Sequence, residues 1–202
     1  MLGLPQTTEV KKPLPKTQLF KQFDWKPSQR DSFDGDVARL DFTNYIAPRT
    51  LPAIPVGEEV KEIYIVEVTL KRRNFDPKNI ALLGKTIPQR IVYLLNFEGE
   101  VQLAVYHTKL FTSPWQLLTS NSSLLTIKGL NLDAVWENIV SSIGEMEVTD
   151  GNTLTEQIKV DAERAKIEKQ IESLERQMRS TSQPRRQREI YCEIKRLKRG
   201  LK

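Results

Sequence analysis

The sequence is poor in the residues that form reactive centres and covalent cross-links. Its 202 residues include a single cysteine, Cys192, and a single histidine, His107. One cysteine excludes an internal disulfide, and the two residues together exclude a structural zinc site of the usual Cys and His ligands. No apolar run approaches the roughly 18 residues of a membrane-spanning helix, and the first residues lack the basic-then-apolar pattern of a secretory signal. We therefore expect a cytoplasmic protein.

Basic residues are concentrated at one end of the chain. The net charge is +5, yet residues 151–202 hold 14 basic and 8 acidic side chains, whereas residues 1–150 hold 17 and 18. Such asymmetry indicates contact with nucleic acid or an acidic partner at the basic end. The change in composition falls at the polar segment EVTDGN, residues 147–152. It predicts a globular domain over residues 1–150 and a charged helical region over residues 151–202.

The hydrophobic pattern of residues 1–150 predicts an α+β domain with a small mixed sheet and flanking helices. Apolar residues on both faces predict buried strands in VKEIYIVEVTLKRR and RIVYLLNF, and EGE predicts a tight turn into a partner strand, VQLAVYHTKLF. SSLLTIKG is a candidate fourth strand. Helices are predicted in NLDAVWENIVSSI and in DPKNIALLGKTI, which has Asp76 as a cap and Pro77 at its first position. Before these elements we expect an extended leader and one or two helices, the second reaching Leu40.

The charged residues of the predicted strand VKEIYIVEVTLKRR suggest one enzyme class, a metal-dependent nuclease. Nucleases of the restriction-enzyme fold hold a cation with an acidic residue and a Glu-x-Lys pair on adjacent strands. Here Glu67 and Lys71 are four residues apart, so that spacing is absent. No preceding strand supplies an obvious aspartate partner. A divergent nuclease is therefore the least favoured of the functions that we consider.

Two other features resemble parts of known active sites without completing them. Gly84, Lys85 and Thr86 match the end of a P-loop, but the glycine required five positions earlier is replaced by Asn79. His107 has no nucleophile and orienting acid at recognisable positions. The sequence therefore predicts no catalytic, cofactor-binding or metal-binding residue, and it favours a protein that is not an enzyme.

A local group of basic residues follows the first buried strand. Arg72 and Arg73 extend that strand into a loop, with further lysines and arginines downstream, so they are candidates for nucleic-acid contact. The alternative is a solvated sheet edge, where basic side chains prevent unwanted strand pairing.

The C-terminal region carries a narrow stripe of apolar residues at helical spacing, typical of a coiled coil. The segment RSTSQP, which ends at Pro184, interrupts this stripe and predicts two antiparallel helices, a coiled-coil hairpin. Pairing within one chain and pairing between two chains both satisfy the pattern. We predict that this apolar seam docks a protein partner, and it consists of Val160, Ile167, Ile171, Leu174, Met178, Ile190, Ile194, Leu197 and Leu201.

Opposite charges accompany the two predicted helices. Residues 154–175 hold 6 acidic and 4 basic side chains, whereas residues 176–202 hold 2 and 10. Pairing an acidic helix with a basic one adds electrostatic complementarity. The remaining positive surface is a second candidate for nucleic-acid contact, through Arg185, Arg186, Arg188, Lys195, Arg196, Lys198 and Arg199.

Several segments that together span nearly the whole chain carry a family resemblance: LPQTTEV, VKEIYIVEVTLK, IPQRIVYLLNFEGEVQLAVYHT, IKGLNLDAVWENIV and the charged C-terminal region. In these segments the chain resembles a family of bacterial proteins, the domain of unknown function 4391. The resemblance implies a setting rather than a reaction, because relatives are often encoded beside helicases and DNA methyltransferases in restriction-like phage-defence loci. No active site is carried over from it.

These observations together predict a non-catalytic accessory or scaffolding subunit of a bacterial defence complex. Its partners would be co-encoded proteins of the helicase or DNA methyltransferase type, docked through the C-terminal helices, and self-association through the same helices is an alternative. The second hypothesis is a DNA- or RNA-binding protein that uses the basic C-terminal arm. No cofactor and no membrane association are expected.

Overall fold

The computed structural model describes residues 2–118, 123–146 and 153–200. The chain divides into two compact units, Met1–Glu147 and Val148–Lys202. The first unit is a mixed α+β structure and the second consists of two helices. Within the described residues, no helix is both long and apolar enough to cross a membrane.

A sheet of seven strands forms the centre of the described part of the first unit. The strands run in the order β1-β2-β3-β4-β5-β6, and β7 also pairs with β5. Every neighbouring pair is antiparallel except β3 and β4, which are parallel and joined by the crossover helix α3. The elements are β1 Glu9–Pro13, α1 Lys16–Gln22, α2 Pro27–Asp36, β2 Val37–Ile46, β3 Ile63–Leu70, α3 Pro77–Thr86, β4 Arg90–Phe97, β5 Glu100–His107, β6 Lys109–Thr112, β7 Gln116–Leu117 and α4 Leu132–Gly144.

The core packs helices α1 to α3 against the apolar residues of β2, β3 and β4. Burial of a large apolar side chain contributes about 1.5–3 kcal/mol relative to exposure, so this cluster contributes substantially to the stability of the unit. Separately, α4 packs on β5 and β6 and has its own buried face. The buried cluster comprises Leu19, Trp25, Phe33, Val37, Leu40, Val66, Val68, Leu70, Ile80, Leu83, Ile91, Tyr93, Leu95 and Ala104.

The predicted strands β3 and β4 and the predicted helices α3 and α4 are confirmed. The Asp76 side chain accepts a hydrogen bond from the Lys78 N–H at 3.0 Å, and Pro77 opens α3. Asn131 caps α4 in the same way by accepting from the Ala134 N–H at 2.9 Å. Both caps satisfy backbone donors that have no partner within a helix.

Helix α2 ends four residues before the predicted position, and a ten-residue strand that the prediction lacked, β2, follows it at once. Leu40 therefore lies in a strand, because pairing along the length of β3 outweighs the local preference. The predicted leader also contains strand β1, which pairs with β2 at the edge of the sheet.

Two further predictions about strands differ from the structure. The strand predicted at 101–111 is broken at Thr108, whose φ of 61° produces a sharp reversal between β5 and β6. The segment predicted as a fourth strand contains no strand among its described residues, 123–129. Its Leu125 is buried, and the Leu125 N–H donates to the Leu2 carbonyl at 3.0 Å, so it packs without joining the sheet.

The loop between β2 and β3 is held by a carboxylate of α4. Asp133 accepts hydrogen bonds from the backbone N–H groups of Glu58, Glu59 and Val60 at 2.6, 3.2 and 2.7 Å. Burial alone raises the pKa of Asp133, but these three donors outweigh that effect and lower it. Gly57 is needed beside this contact, because a Cβ there would lie 2.2 Å from the Asp133 carboxyl carbon.

The second unit contains helices α5, Leu154–Ser180, and α6, Pro184–Gly200. A capping box starts α5, in which Thr153 and Glu156 exchange hydrogen bonds between side chain and backbone. The predicted division into two helices is confirmed, but the interruption is shorter than RSTSQP: Arg179 and Ser180 still belong to α5, residues 181–183 are not helical, and Pro184 is the first residue of α6.

Candidate docking surface on the C-terminal helices

The predicted apolar seam is the main contact between α5 and α6. Ile171, Ile190 and Ile194 are buried in one cluster, and Ile167, Leu174, Met178 and Leu197 pack against it. These residues therefore meet within a single chain. Of the remaining predicted members, Val160 is 51% exposed, and Leu201 lies outside the described residues.

Polar contacts beside the seam also join the two helices. The Lys198 ammonium donates to the Glu175 carboxylate at 2.9 Å, and this hydrogen bond lowers the pKa of Glu175. Near the turn, the Gln187 side-chain amide donates to the Thr181 carbonyl at 2.6 Å. Each exposed contact contributes little by itself, about 0–1 kcal/mol for an ion pair. These contacts matter more for orientation than for stability, because they determine which face of α6 packs on α5.

The opposite side of α6 is strongly basic. Residues 188, 192, 195 and 199 follow helical spacing and lie across the helix from Ile190 and Ile194. We define the basic face as Arg185, Arg188, Lys195, Arg196 and Arg199, all of which are exposed. Arg185 forms a 3.4 Å ion pair with Glu189 within α6. The exposed Cys192 lies among these residues.

The basic residues of α6 that were predicted to contact nucleic acid do not all lie on the basic face. Lys198 points to Glu175 on α5. Arg186 precedes Ile190 by one helical turn, so it shares the side of the seam rather than the basic face. The remaining five predicted residues form one continuous positive surface.

An exposed aromatic residue lies close to the basic face, near the turn between the helices. Tyr191 is 57% exposed, and with Met178 and Pro184 it borders a shallow depression of about 450 Å³. Arg179, Gln187 and Arg188 complete its lining. A large apolar ring flanked by guanidinium groups is a frequent composition of protein-binding surfaces.

The predicted basic residues of the first unit have partners inside that unit. Asp36 is fully buried, and it accepts from the Arg72 guanidinium at 2.5 Å, the Asp76 N–H at 2.8 Å and the Asn79 amide at 2.7 Å. Burial raises the pKa of Asp36, but these hydrogen bonds outweigh it and hold the pKa below its ordinary value. Arg72 therefore fastens α2 to the loop before α3.

Arg73 also has partners inside the first unit. Its guanidinium lies 3.1 Å from the Glu100 carboxylate and 5.6 Å from the centre of the Trp115 ring. Both arginines consequently have a structural role, and their predicted contact with nucleic acid stays a prediction.

The sheet supplies an aspartate partner for Glu67, contrary to our expectation. Asp41 on β2 lies directly opposite Glu67 on β3. Arg39 binds the Asp41 carboxylate with two nitrogens, and the Asn96 amide donates to Glu67 at 2.7 Å. This aspartate was missed because β2 itself was missed.

The rest of the nuclease arrangement is not formed at this pair. Thr69 occupies the position two residues after Glu67, where the lysine of the Glu-x-Lys pattern would lie. Lys71 instead makes a 3.6 Å ion pair with Asp34. Among the described residues, no three His, Cys, Asp or Glu side chains come together in a group that could hold a metal ion.

The residues of the two incomplete active-site motifs, the partial P-loop and His107, make contacts that support the fold. Thr86 ends α3, where its hydroxyl donates to the Leu82 carbonyl at 2.7 Å and accepts from the Trp25 indole at 3.2 Å. His107 accepts a hydrogen bond from the Trp136 indole at 3.3 Å through Nδ1. Burial and then the nearby Arg90 charge lower the pKa of His107, which favours the neutral ring at this position.

Comparison with known proteins identifies a family without an assigned function. No curated protein and no solved structure gives a significant match to the chain. The family described as "Domain of unknown function (DUF4391)" matches residues 2–201. The match runs through both structural units, and the chain therefore belongs to the DUF4391 family.

Proposed function

We propose that the protein is a non-catalytic accessory or scaffolding subunit that docks co-encoded proteins through its C-terminal helices. The carrying observation is the exposed basic face of α6, with the exposed Tyr191 beside it, on a pair of helices that the seam residues already hold together. In this proposal α5 and α6 form an antiparallel coiled-coil hairpin, and its outer side is left for a partner. The setting, a bacterial phage-defence or restriction-like complex with helicase or DNA methyltransferase partners, rests on the family resemblance.

A preformed hairpin suits a docking role energetically. Association costs free energy when side chains and loops must be ordered, so an element already folded by its own contacts binds with a smaller loss. Burial of each seam isoleucine contributes about 1.5–3 kcal/mol to the pairing of α5 with α6. The seam thus has the role of holding the hairpin together, while contact with the partner falls to other residues.

The partner surface in this proposal is acidic with an apolar recess. The basic face of α6 favours negative charge, which increases the association rate and selects the orientation of the partner. Tyr191 supplies an aromatic anchor of the kind that carries much of the binding energy at interfaces.

Deletion of residues 153–200 tests whether the C-terminal helices are needed for docking. The tagged full chain and the deletion variant are expressed in the native host, and the proteins that co-purify are identified. We expect proteins encoded by neighbouring genes to co-purify with the full chain and to be lost with the variant. Unchanged association of every such protein would exclude these helices as the docking element.

The second candidate function is nucleic-acid binding by the basic C-terminal arm, and the continuous basic face of α6 favours it. Contacts with phosphates release counterions, so the logarithm of the binding constant falls with the logarithm of salt concentration, by about 0.9 per phosphate on duplex DNA. Titration of duplex and single-stranded DNA at several salt concentrations measures this slope. Affinity that does not change with salt would contradict this function.

A divergent metal-dependent nuclease is the third candidate, and the opposition of Asp41 and Glu67 favours it. Such an enzyme would cleave DNA with Mg²⁺ and lose that activity on substitution of Glu67 by alanine. Cleavage that persists in Glu67→Ala, at the wild-type rate, would remove this candidate.

A further inference from the structure

A cavity of about 440 Å³ lies within the first unit. It is bounded by α1, by β1 and β2, and by residues from the beginnings of β3 and β4. Its volume falls within the range of about 300–1,000 Å³ that is usual for small-molecule sites. None of the functions considered above uses it.

One wall of this cavity is a row of aromatic rings. The ring centres of Phe42 and Tyr64 lie 5.6 Å apart, and those of Tyr64 and Tyr45 lie 5.0 Å apart. Leu19 of α1 and Phe23, the residue just after this helix, also line the space. The rings are tilted to one another, by 62° for Phe42 and Tyr64 and by 51° for Tyr45 and Tyr64. A flat ring can therefore pack on one of them in the offset or edge-to-face arrangement that aromatic pairs prefer.

Positive charge and amide groups complete the lining. The Arg49 guanidinium lies over the Tyr45 ring at 4.2 Å from its centre, and Lys12 lines the same cavity. The amide side chains Gln18, Gln22 and Gln89 supply both donors and acceptors. No Asp or Glu is among the described residues that line the space. The charge of the lining therefore favours an anionic ligand.

The two tyrosines retain their hydroxyl protons in this setting. The Tyr45 hydroxyl donates to Glu62 at 2.7 Å. Burial first, and then the hydrogen bond with Glu62, raise the pKa of Tyr64 to about 12 and also raise that of Tyr45. Neither ring adds negative charge near neutral pH. The Glu62 carboxylate that accepts from Tyr45 is not among the lining residues, so Arg49 and Lys12 set the charge of the lining itself.

We propose that this cavity binds a nucleotide, with its base against the Phe42–Tyr64–Tyr45 wall and its phosphate near Arg49 and Lys12. The amide side chains would contact the polar edge of the base. The nucleotide has two sources with the same chemistry, a free mononucleotide or one residue of a single strand. This site does not depend on the docking role of the C-terminal helices.

Calorimetric titration of the full chain tests the proposal. The probes are the four ribonucleoside 5′-monophosphates, their nucleosides, ribose 5-phosphate and 5′-phosphorylated deoxytrinucleotides of each base. We expect a monophosphate or a trinucleotide to bind at least tenfold more tightly than the matching nucleoside and than ribose 5-phosphate. Tighter binding of the trinucleotide assigns the ligand to a single strand, and the reverse order assigns it to a free nucleotide.

Variants of the lining distinguish this cavity from adventitious surface binding. Arg49→Gln removes an exposed cation, and Tyr64→Leu removes the middle ring, so each should weaken binding at least tenfold. Lys109→Gln is the matched control, because Lys109 is also an exposed cation over an aromatic ring, that of Phe111, but lies outside the cavity lining. If Tyr64→Leu does not fold, the comparison of Arg49→Gln with Lys109→Gln decides. Absence of binding to every probe at millimolar concentration, or binding unchanged in Arg49→Gln, would overturn the proposal.

Discussion

The Lys198 ammonium of α6 lies 2.9 Å from the Glu175 carboxylate of α5. This pair is on the surface, whereas Ile190 and Ile194 are buried beside it. The surface ion pair and the buried isoleucines therefore have different roles, the first in orienting the helices and the second in stabilising their pairing. Charge sets how α6 lies on α5, and the apolar seam provides most of the free energy that keeps the two helices paired.

The seam and the ion pair should respond differently to substitution. Ile194→Ala should destabilise the pairing of α5 with α6 by about 2–4 kcal/mol, because it removes buried methyl groups and leaves a gap. Lys198→Met should cost at most about 1 kcal/mol, since exposed ion pairs contribute little. Helicity followed by circular dichroism during urea unfolding measures both. Equal effects of the two variants would contradict the assigned roles.

The buried Asp36 should make the stability of the first unit sensitive to acid. Its pKa lies below the ordinary value of 3.8, so its hydrogen bonds stabilise the fold above that pH and are lost as pH falls through the folded pKa. Asp36→Asn should lower the free energy of unfolding at neutral pH by about 1–3 kcal/mol, because a neutral amide accepts weaker hydrogen bonds from Arg72, Asp76 and Asn79.

Denaturant unfolding between about pH 7 and pH 2 measures this dependence. The difference between the wild-type protein and Asp36→Asn should shrink as the wild-type carboxyl becomes protonated. Asp31→Asn, at an exposed position, is the control and should have little effect at any pH. A difference between wild type and Asp36→Asn that is constant with pH would show that charge at Asp36 is not the cause.

Tyr93 provides a test of a buried hydroxyl. The side chain is almost completely buried, and its hydroxyl has no hydrogen-bond partner among the described residues. Burying an unpaired polar group costs about 1–3 kcal/mol, so Tyr93→Phe should leave the free energy of unfolding unchanged or increase it. Tyr45→Phe is the matched comparison and should lower it by about 1 kcal/mol, because it removes the bond to Glu62. A clear destabilisation by Tyr93→Phe would reveal a partner for that hydroxyl.

The elements that the sequence predicts correctly have strong local signals. Asp76 and Pro77 identify the start of α3, the segment that ends at Pro184 identifies the break between α5 and α6, and apolar residues on both faces identify β3 and β4. Strand β2 lacks such a signal, because its residues alternate poorly and its stability comes from pairing with β3. The break at Thr108 was not predictable either, since a left-handed φ is uncommon for a β-branched residue.

The candidate sites depend on contacts between distant residues, which explains what sequence analysis missed. The seam was predictable because its members follow helical spacing within two segments. The opposition of Asp41 and Glu67 required the register of β2, and the partner of Arg72 is an aspartate 36 residues earlier. The cavity is assembled from five strands and helices together with a loop, and no short segment contains more than a part of it.

The affinity of the purified full chain for a co-purifying, co-encoded protein tests the docking account most directly. It is compared, at about 0.15 M salt, with that of two charge-reversed variants. One carries Arg188→Glu, Lys195→Glu and Arg199→Glu on the basic face, and the other carries Lys159→Glu, Lys166→Glu and Lys169→Glu at exposed positions of α5. The account predicts at least a tenfold loss of affinity for the first variant and a much smaller change for the second. Equal affinity of the wild-type protein and the first variant would contradict it.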